Sequence, residues 1–374
     1  MIDINVDRRF VVHSPVPVAA SDGAGVIVDT SMRLPSPRGE ISAALIRALH
    51  LPPAGAALPP GTWSAGSEAL DDDDLQLTLF ICYQLHYGGF REVDDRWEWE
   101  PSLLALRATA EARFEDELHA IADSPRAAST ATLPQQLFEV AGVTDGAALS
   151  RYLRAEATLD QFREFVVHRS IYHLKEGDPH TWVIPRLTGR LKAALVEVQA
   201  DEYGGGRLER MHSTLFSRTM RCLGLTTGYG AYVDHVPATT LATNNLMSLF
   251  GLHRRHRASA LGHLAAFEMT SAQPNRRYAD GLRRLGVADE AALFYDEHVE
   301  ADSVHEQIVA HDLCGAYGRN NPGSDPAIMF GARCGLALEE RFAANLLQHW
   351  QAGASSLRSA LAPVGVRDQA RSSS

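Results

Sequence analysis

The chain has only four cysteines, Cys82, Cys222, Cys314 and Cys334, and no C-x-x-C pair. Their scatter suggests neither a disulfide framework nor a thiolate metal site, and fits reduced thiols in a cytoplasmic protein. A surplus of positive charge is also missing: 46 Asp and Glu stand against 35 Lys and Arg, for a net charge of -11. A nucleic-acid binder would need a basic face, so that class is set aside. No apolar run reaches the roughly 20 residues of a membrane-spanning helix. The opening MIDINVDRRF has no signal-peptide core. Clear strand alternation is scarce, and no repeat recurs at a fixed period. GYGAY and GGG lack the preceding strand and following lysine of a phosphate loop.

What is present is helix. The 374 residues, 45% of them hydrophobic, suffice for one large domain or two smaller ones. Residues 1–35 read as an extended arm, 37–49 as a short amphipathic helix, and 51–66 as a Pro/Gly connector. DDDDLQLTLFICYQLHY, from Asp71, places acids in a first helical turn, where the helix dipole favours them. A second helix opens on Pro101 and runs to 122, and 124–134 reads as a boundary. Beyond it helices are expected at 134–143, 146–155, 158–176, 183–203, 207–223, 236–251, 254–271, 273–285, 289–317 and 325–352. The expected organisation is an amino-terminal arm and helical region at 1–130, an all-α bundle at 131–352 and a flexible tail at 353–374.

The chemistry concentrates in FYDEHVEADSVHEQ. His298, Asp302 and His305 recur at i, i+4 and i+7, so on a helix they share one face. Two imidazoles and a hard carboxylate suit iron, manganese or zinc. Glu268 follows Leu264, Ala265, Ala266 and Phe267, where a buried carboxylate needs a metal or a cation beside it. Gly262, Ala265 and Ala266 suggest a close helix–helix approach nearby. DEYGGGRLERMH offers Glu202, Glu209 and His212. Glu209 and His212 have the i, i+3 spacing of diiron bundles, whereas Glu202 and His212 need the intervening glycines to bend the chain. Spacing alone leaves both glutamates open. HRRHR at 253–257 reads as a solvated helix start, and Ser213 lacks the setting of a nucleophile elbow.

In order and interval, DEYGGG…H, GHLAAFE and H-x-x-x-D-x-x-H resemble the haem-oxygenase-like diiron oxidases and oxygenases, and within them the N-oxygenating members. The resemblance covers roughly 134–350. It implies an all-α haem-oxygenase-like bundle of about seven helices with an amino-terminal helical extension suited to homodimerisation. It also implies metal ligands at Glu202, His212, Glu268, His298, Asp302 and His305, choosing Glu202 over Glu209. N-oxygenating members add a carboxylate from the preceding helix, and Glu176 in IYHLKEGDPHTW is similarly placed. The implied cofactors are two iron ions, with O2 as co-substrate and an external reductant. The implied partners are a small-molecule amine or amino-acid-like substrate and an electron donor, with no nucleic acid and no membrane. No catalytic residue beyond the ligands is expected, nor any chemistry belonging to a cupin domain. The expected function is oxidation of an amine or guanidine nitrogen to a hydroxylamine or nitro product. The alternatives are a diiron oxidase that cleaves or desaturates a fatty or amino acid, and a non-catalytic iron-binding bundle.

Overall fold

The computed structural model describes residues 32–53, 58, 61, 63, 68–122, 130–143 and 147–361, without the side chains of 143, 147, 300, 302 and 303. The expected arm through residue 31, most of the 51–66 connector and the tail from 362 lie outside the described residues. The helices are α1 (Glu40–Leu49), α2 (Asp73–Gln84), α3 (Pro101–Ala122), α4 (Leu133–Val143), α5 (Ala147–Ala155), α6 (Leu159–His173) and α7 (Asp178–Thr181). They continue with α8 (Gly189–Glu202), α9 (His212–Cys222), α10 (Ala238–Leu252), α11 (Arg257–Arg284), α12 (Leu293–Gln307), α13 (Ala316–Asn320) and α14 (Asp325–Gln351). Among the described residues the extended pairing is an isolated bridge between Met32 and Phe90. The fold is all-α.

The aspartate run divides its labour. Asp72 caps α2 by accepting from the Asp74 and Leu75 amides. Asp73 pairs with Arg38 at 2.9 Å. Asp74 reaches across to α1 and accepts from the Ile41 and Ser42 amides at 2.9 and 2.7 Å, satisfying orphan donors of that helix. α2 is buried from Leu75 to Gln84 without a break, so it is a central helix rather than an amphipathic surface one. It contributes to two apolar clusters. One joins Leu45, Phe80, Phe165, Phe216, Phe294 and Phe342; the other joins Leu79, Phe114, Leu195, Phe250, Leu264 and Ile328. Residues on both sides of 130 therefore share the same cores.

α11 and α14 approach backbone to backbone, as the small residues around Gly262 suggest. A Cβ on Gly262 would meet the Ile328 carbonyl, and one on Gly331 would meet the Ser259 carbonyl. Three expectations need correction. The helices expected at 254–271 and 273–285 are one helix running through Pro274, because burial from Ala258 to Glu268 and again from Asn275 to Leu282 holds both halves in line. The helix expected at 289–317 is divided into a 3-10 turn at Asp289–Ala292, α12, a π-helical stretch at Ile308–Gly315 and α13. The flexible tail does not begin at 353. Ser356 donates from Oγ and N to Glu164 at 2.7 and 2.9 Å, and the Arg358 amide donates to the His235 carbonyl at 2.8 Å.

Candidate metal centre

Glu176 lies in the turns between α6 and α7, where it is almost fully buried. His173, one turn earlier, brings its Nδ1 to 2.9 Å from Glu176 Oε1 and so fixes the carboxylate. The other oxygen, Oε2, points toward His298, 3.5 Å from its Nε2. The Nδ1–H of His298 donates to the Phe294 carbonyl on its own helix at 2.8 Å, which turns Nε2 toward Glu176 as a lone-pair donor. Phe294 and His212 crowd the same ring, with centroids 4.4 and 4.3 Å away. One ligand atom each from Glu176, His212 and His298 lies within 4.8 Å of the others.

His212 and Glu202 meet because the chain between them reverses tightly. Gly204, Gly205 and Gly206 all have positive φ (62, 60 and 78°), a left-handed run open to glycine. A Cβ on Gly204 would come within 2.6 Å of the backbone at Arg210 and Met211. The reversal ends α8 on Glu202 and opens α9 on His212, leaving His212 Nδ1 3.1 Å from Glu202 Oε2. Glu209, the competing glutamate, is exposed on the 3-10 turn Leu208–Arg210.

These atoms are close without being hydrogen-bonded. Glu176 Oε2, Glu202 Oε2 and His212 Nδ1 are buried with no hydrogen-bond partner among the described residues. The 3.1 Å separation is an ion-pair distance with poor hydrogen-bond alignment. Adjacent ligands about 2.1 Å from a shared ion sit roughly 3 Å apart, each aimed at the ion rather than at the other. Orphaned, buried and convergent, this N/O donor set fits a hard to borderline transition metal.

The second half of the expected set is on α11 and α12. Glu268 Oε2 is 3.2 Å from His305 Nδ1, and the far side of that ring, Nε2, is 2.9 Å from Asp201 Oδ2. Asp302 belongs to α12, one turn before His305, and its side chain lies outside the described residues. Glu176, Glu202, Glu268 and His298 line one cavity of about 500 Å³. The charges of this region show in its titration. Burial raises the Glu176 carboxyl, but His173 and His298 outweigh it and hold the group well below the usual carboxylate range. Burial depresses His212, but the charge and close contact of Glu202, together with the Glu176 charge, outweigh it and raise the imidazole. Burial, then the charges of Glu176, Glu202 and Glu268, push the Tyr172 phenol far up.

Sequence reading missed His173, Asp201 and the buried pair of His180 Nε2 and His263 Nδ1, 3.2 Å apart beside the cavity. His173-x-x-Glu176 carries a local i, i+3 signal, and Asp201 is adjacent to Glu202. Nothing in the sequence joins His180 to His263, which are 83 residues apart.

Residues 163–340 match the family described as iron-containing redox enzymes of the haem-oxygenase type, and all seven expected ligand positions fall in that span. The all-α bundle is accordingly haem-oxygenase-like in fold. A curated relative, nitrosourea synthase of Streptomyces achromogenes subsp. streptozoticus, is 27% identical over 141 residues. The match spans 37% of this chain and 30% of that relative.

Proposed function

We propose that the protein is an O2-dependent, non-haem diiron oxygenase that oxidises an amine or guanidine-type nitrogen of a small molecule. The observation that carries this reading is the buried clustering of Glu176, Glu202, His212 and His298, three of which (Glu176, Glu202 and His298) line one cavity, with Glu268 and His305 alongside. Glu176, Glu202, His212 and His298 would hold one iron; Glu268, His305 and Asp302 would hold the other. When bound, the irons supply dioxygen activation and take up electrons from an external reductant. The protein's own contribution is positional. His173 fixes Glu176, the Phe294 carbonyl sets the His298 tautomer, and the glycine reversal brings His212 to Glu202. Phe267 and Leu264 give the cavity an apolar wall beside those groups.

Nitrogen as the atom oxidised is favoured by the likeness to nitrosourea synthase, whose name denotes an N-nitroso product. A homodimer formed through the amino-terminal helices and a cytoplasmic location belong to the same proposal. The test is anaerobic loading with ferrous ion, followed by exposure to labelled dioxygen with a panel of amines and guanidines. Substrate-dependent oxygen uptake with label retained on nitrogen is the expected result. Release of carbon dioxide or formaldehyde would transfer the reading to oxidative cleavage. Iron binding without substrate-dependent uptake across the panel would favour a non-catalytic bundle.

A further inference from the structure

Two buried imidazoles stand beside the proposed ligands without joining them. His180 of α7 brings its Nε2 to 3.2 Å from Nδ1 of His263 on α11. His180 lines the cavity together with Glu176 and Glu202, whereas His263 is 1% exposed and outside that lining. The other nitrogen of His263, Nε2, is buried with no hydrogen-bond partner among the described residues. Phe267 packs against that ring at 4.2 Å between centroids and Phe250 at 6.4 Å. A Cβ built on Gly335 would lie 3.5 Å from Nε2.

That orphaned nitrogen and the charges on the cavity side decide where the hydrogens sit. Each neutral imidazole carries one N–H, and one of the two must lie between the rings. Were His180 the donor, the His263 hydrogen would fall on Nε2, a buried N–H bearing the full cost of lost solvation. With His263 as donor, no hydrogen is stranded, and the His180 hydrogen falls on Nδ1. The anions favour the same arrangement. The Glu202 and Glu176 charges act on His180, whereas the charge acting on His263 is that of His180. Burial outweighs those carboxylates and pushes the His180 imidazole down to about 4, and His263 is lowered too, so both rings are neutral at neutral pH.

The geometry points to His180 as a neutral hydrogen-bond donor, through Nδ1–H, to an acceptor atom of the substrate, with His263 as the positioning residue that fixes its tautomer. The Nδ1 atom has no hydrogen-bond partner among the described residues. As metal ligands, Glu176 and Glu202 would be turned to an ion and would leave this donor unclaimed. A carbonyl oxygen or an unprotonated imine nitrogen matches it. An alkylammonium or a guanidinium ion offers only N–H groups and does not. The action of the Glu202 and Glu176 charges puts His180 at the metal end of the cavity, so the acceptor belongs beside the nitrogen that is oxidised. The substrate class is then an amide, a urea or a neutral amidine or guanidine rather than a plain alkylamine. This inference rests on the reading of the cavity as the substrate chamber of the proposed oxygenase.

The test is long-range proton–nitrogen NMR of the full chain with isotopically labelled histidine, with and without zinc, a diamagnetic stand-in for iron. Difference spectra of His180→Asn and His263→Leu assign the two rings. Hydrogen on Nδ1 of both rings is the expected result. Acetamide, which carries a carbonyl, should shift the His180 Nδ1–H resonance. Acetamidinium, of the same shape with N–H groups only, should leave it in place. Acetamide should bind His180→Leu at least about fivefold more weakly than wild type, the loss of one neutral hydrogen bond. His180→Asn, whose amide N–H stands near the Nδ1 position, should restore binding. His263→Leu should free the His180 tautomer and erase the preference for acetamide. Hydrogen on Nε2 of His180, no response to acetamide, or equal responses to both probes would overturn the inference. So would a His180→Leu variant with a lower melting temperature but unchanged acetamide binding, the mark of a pair that only packs α7 against α11. Should His263→Leu fail to fold, the wild-type spectra and His180→Asn still decide. Neither iron nor dioxygen is used, so failure of nitrogen oxidation leaves this result standing. Oxidation of plain alkylamines with no acetamide response would sink the inference alone.

Discussion

Asp201 and Glu268 grip His305 from opposite sides, Asp201 Oδ2 at 2.9 Å from Nε2 and Glu268 Oε2 at 3.2 Å from Nδ1. Were Glu268 and Nδ1 to share an ion, as proposed, Asp201 would accept the remaining N–H and orient the ring from outside. Asp201→Ala is expected to weaken one of two ferrous binding events by about 10–100-fold, the usual effect of removing such a carboxylate. Anaerobic competition titration against a chelator measures it. Two unchanged affinities would remove Asp201 from that role.

The proposed ligand sets make iron content separable. Wild type should hold about two irons per chain after anaerobic ferrous loading, and His298→Ala or Glu176→Ala about one or fewer. Glu209→Ala should leave the content unchanged, since that side chain is exposed on its turn. Elemental analysis of the desalted protein gives the count. Equal loss in Glu209→Ala would reverse the choice between the two glutamates.

The glycine reversal offers a graded test. Gly205 has φ 60° and open space around a Cβ, so Gly205→Ala should cost about 1–2 kcal/mol of backbone strain. Gly204 has the same strain plus a Cβ within 2.6 Å of the Arg210 carbonyl carbon and the Met211 nitrogen. Gly204→Ala should therefore be the more destabilised of the two and should also lose iron by displacing His212. Melting temperature and iron content, measured together, distinguish strain from displacement. Equal iron in both variants would contradict the coupling.

His168 should make the fold sensitive to acid. It is buried between the hydroxyls of Thr240 and Ser356, 2.6 and 3.1 Å away. Burial first, then the Arg169 and His349 charges, push its pKa down to about 3. An unfolded histidine titrates near 6.5, so below that pH the unfolded chain binds a proton that the folded chain refuses. Stability from this group is full above about 6.5 and falls by up to about 1.4 kcal/mol per pH unit as pH drops toward 3. His168→Gln should show a shallower fall in denaturant midpoint between pH 7.5 and 5 than wild type does. Identical slopes would refute it.

Local spacing made part of the centre legible. His298, Asp302 and His305 share a helix, so a 3.6-residue period suffices to place them on one face. Glu202 against Glu209 could not be settled that way. The answer depends on three left-handed glycines reversing the chain, and glycine permits that conformation without requiring it. Pro274 misled for the converse reason. It weakens a helix locally, but burial on both sides keeps α11 continuous.

By itself, the sequence determined an all-α protein and a set of carboxylates and imidazoles at helical intervals, because periodicity and ligand chemistry are local properties. Tertiary structure alone decided that Glu176 faces His298, that Asp201 holds the outer face of His305, and that Arg169 meets Glu339 across the cavity. Glu176 with His298, Asp201 with His305 and Arg169 with Glu339 each join groups more than a hundred residues apart. Such meetings depend on how helices cross and which side chains the packed core leaves room for, and neither is written in any single stretch of chain.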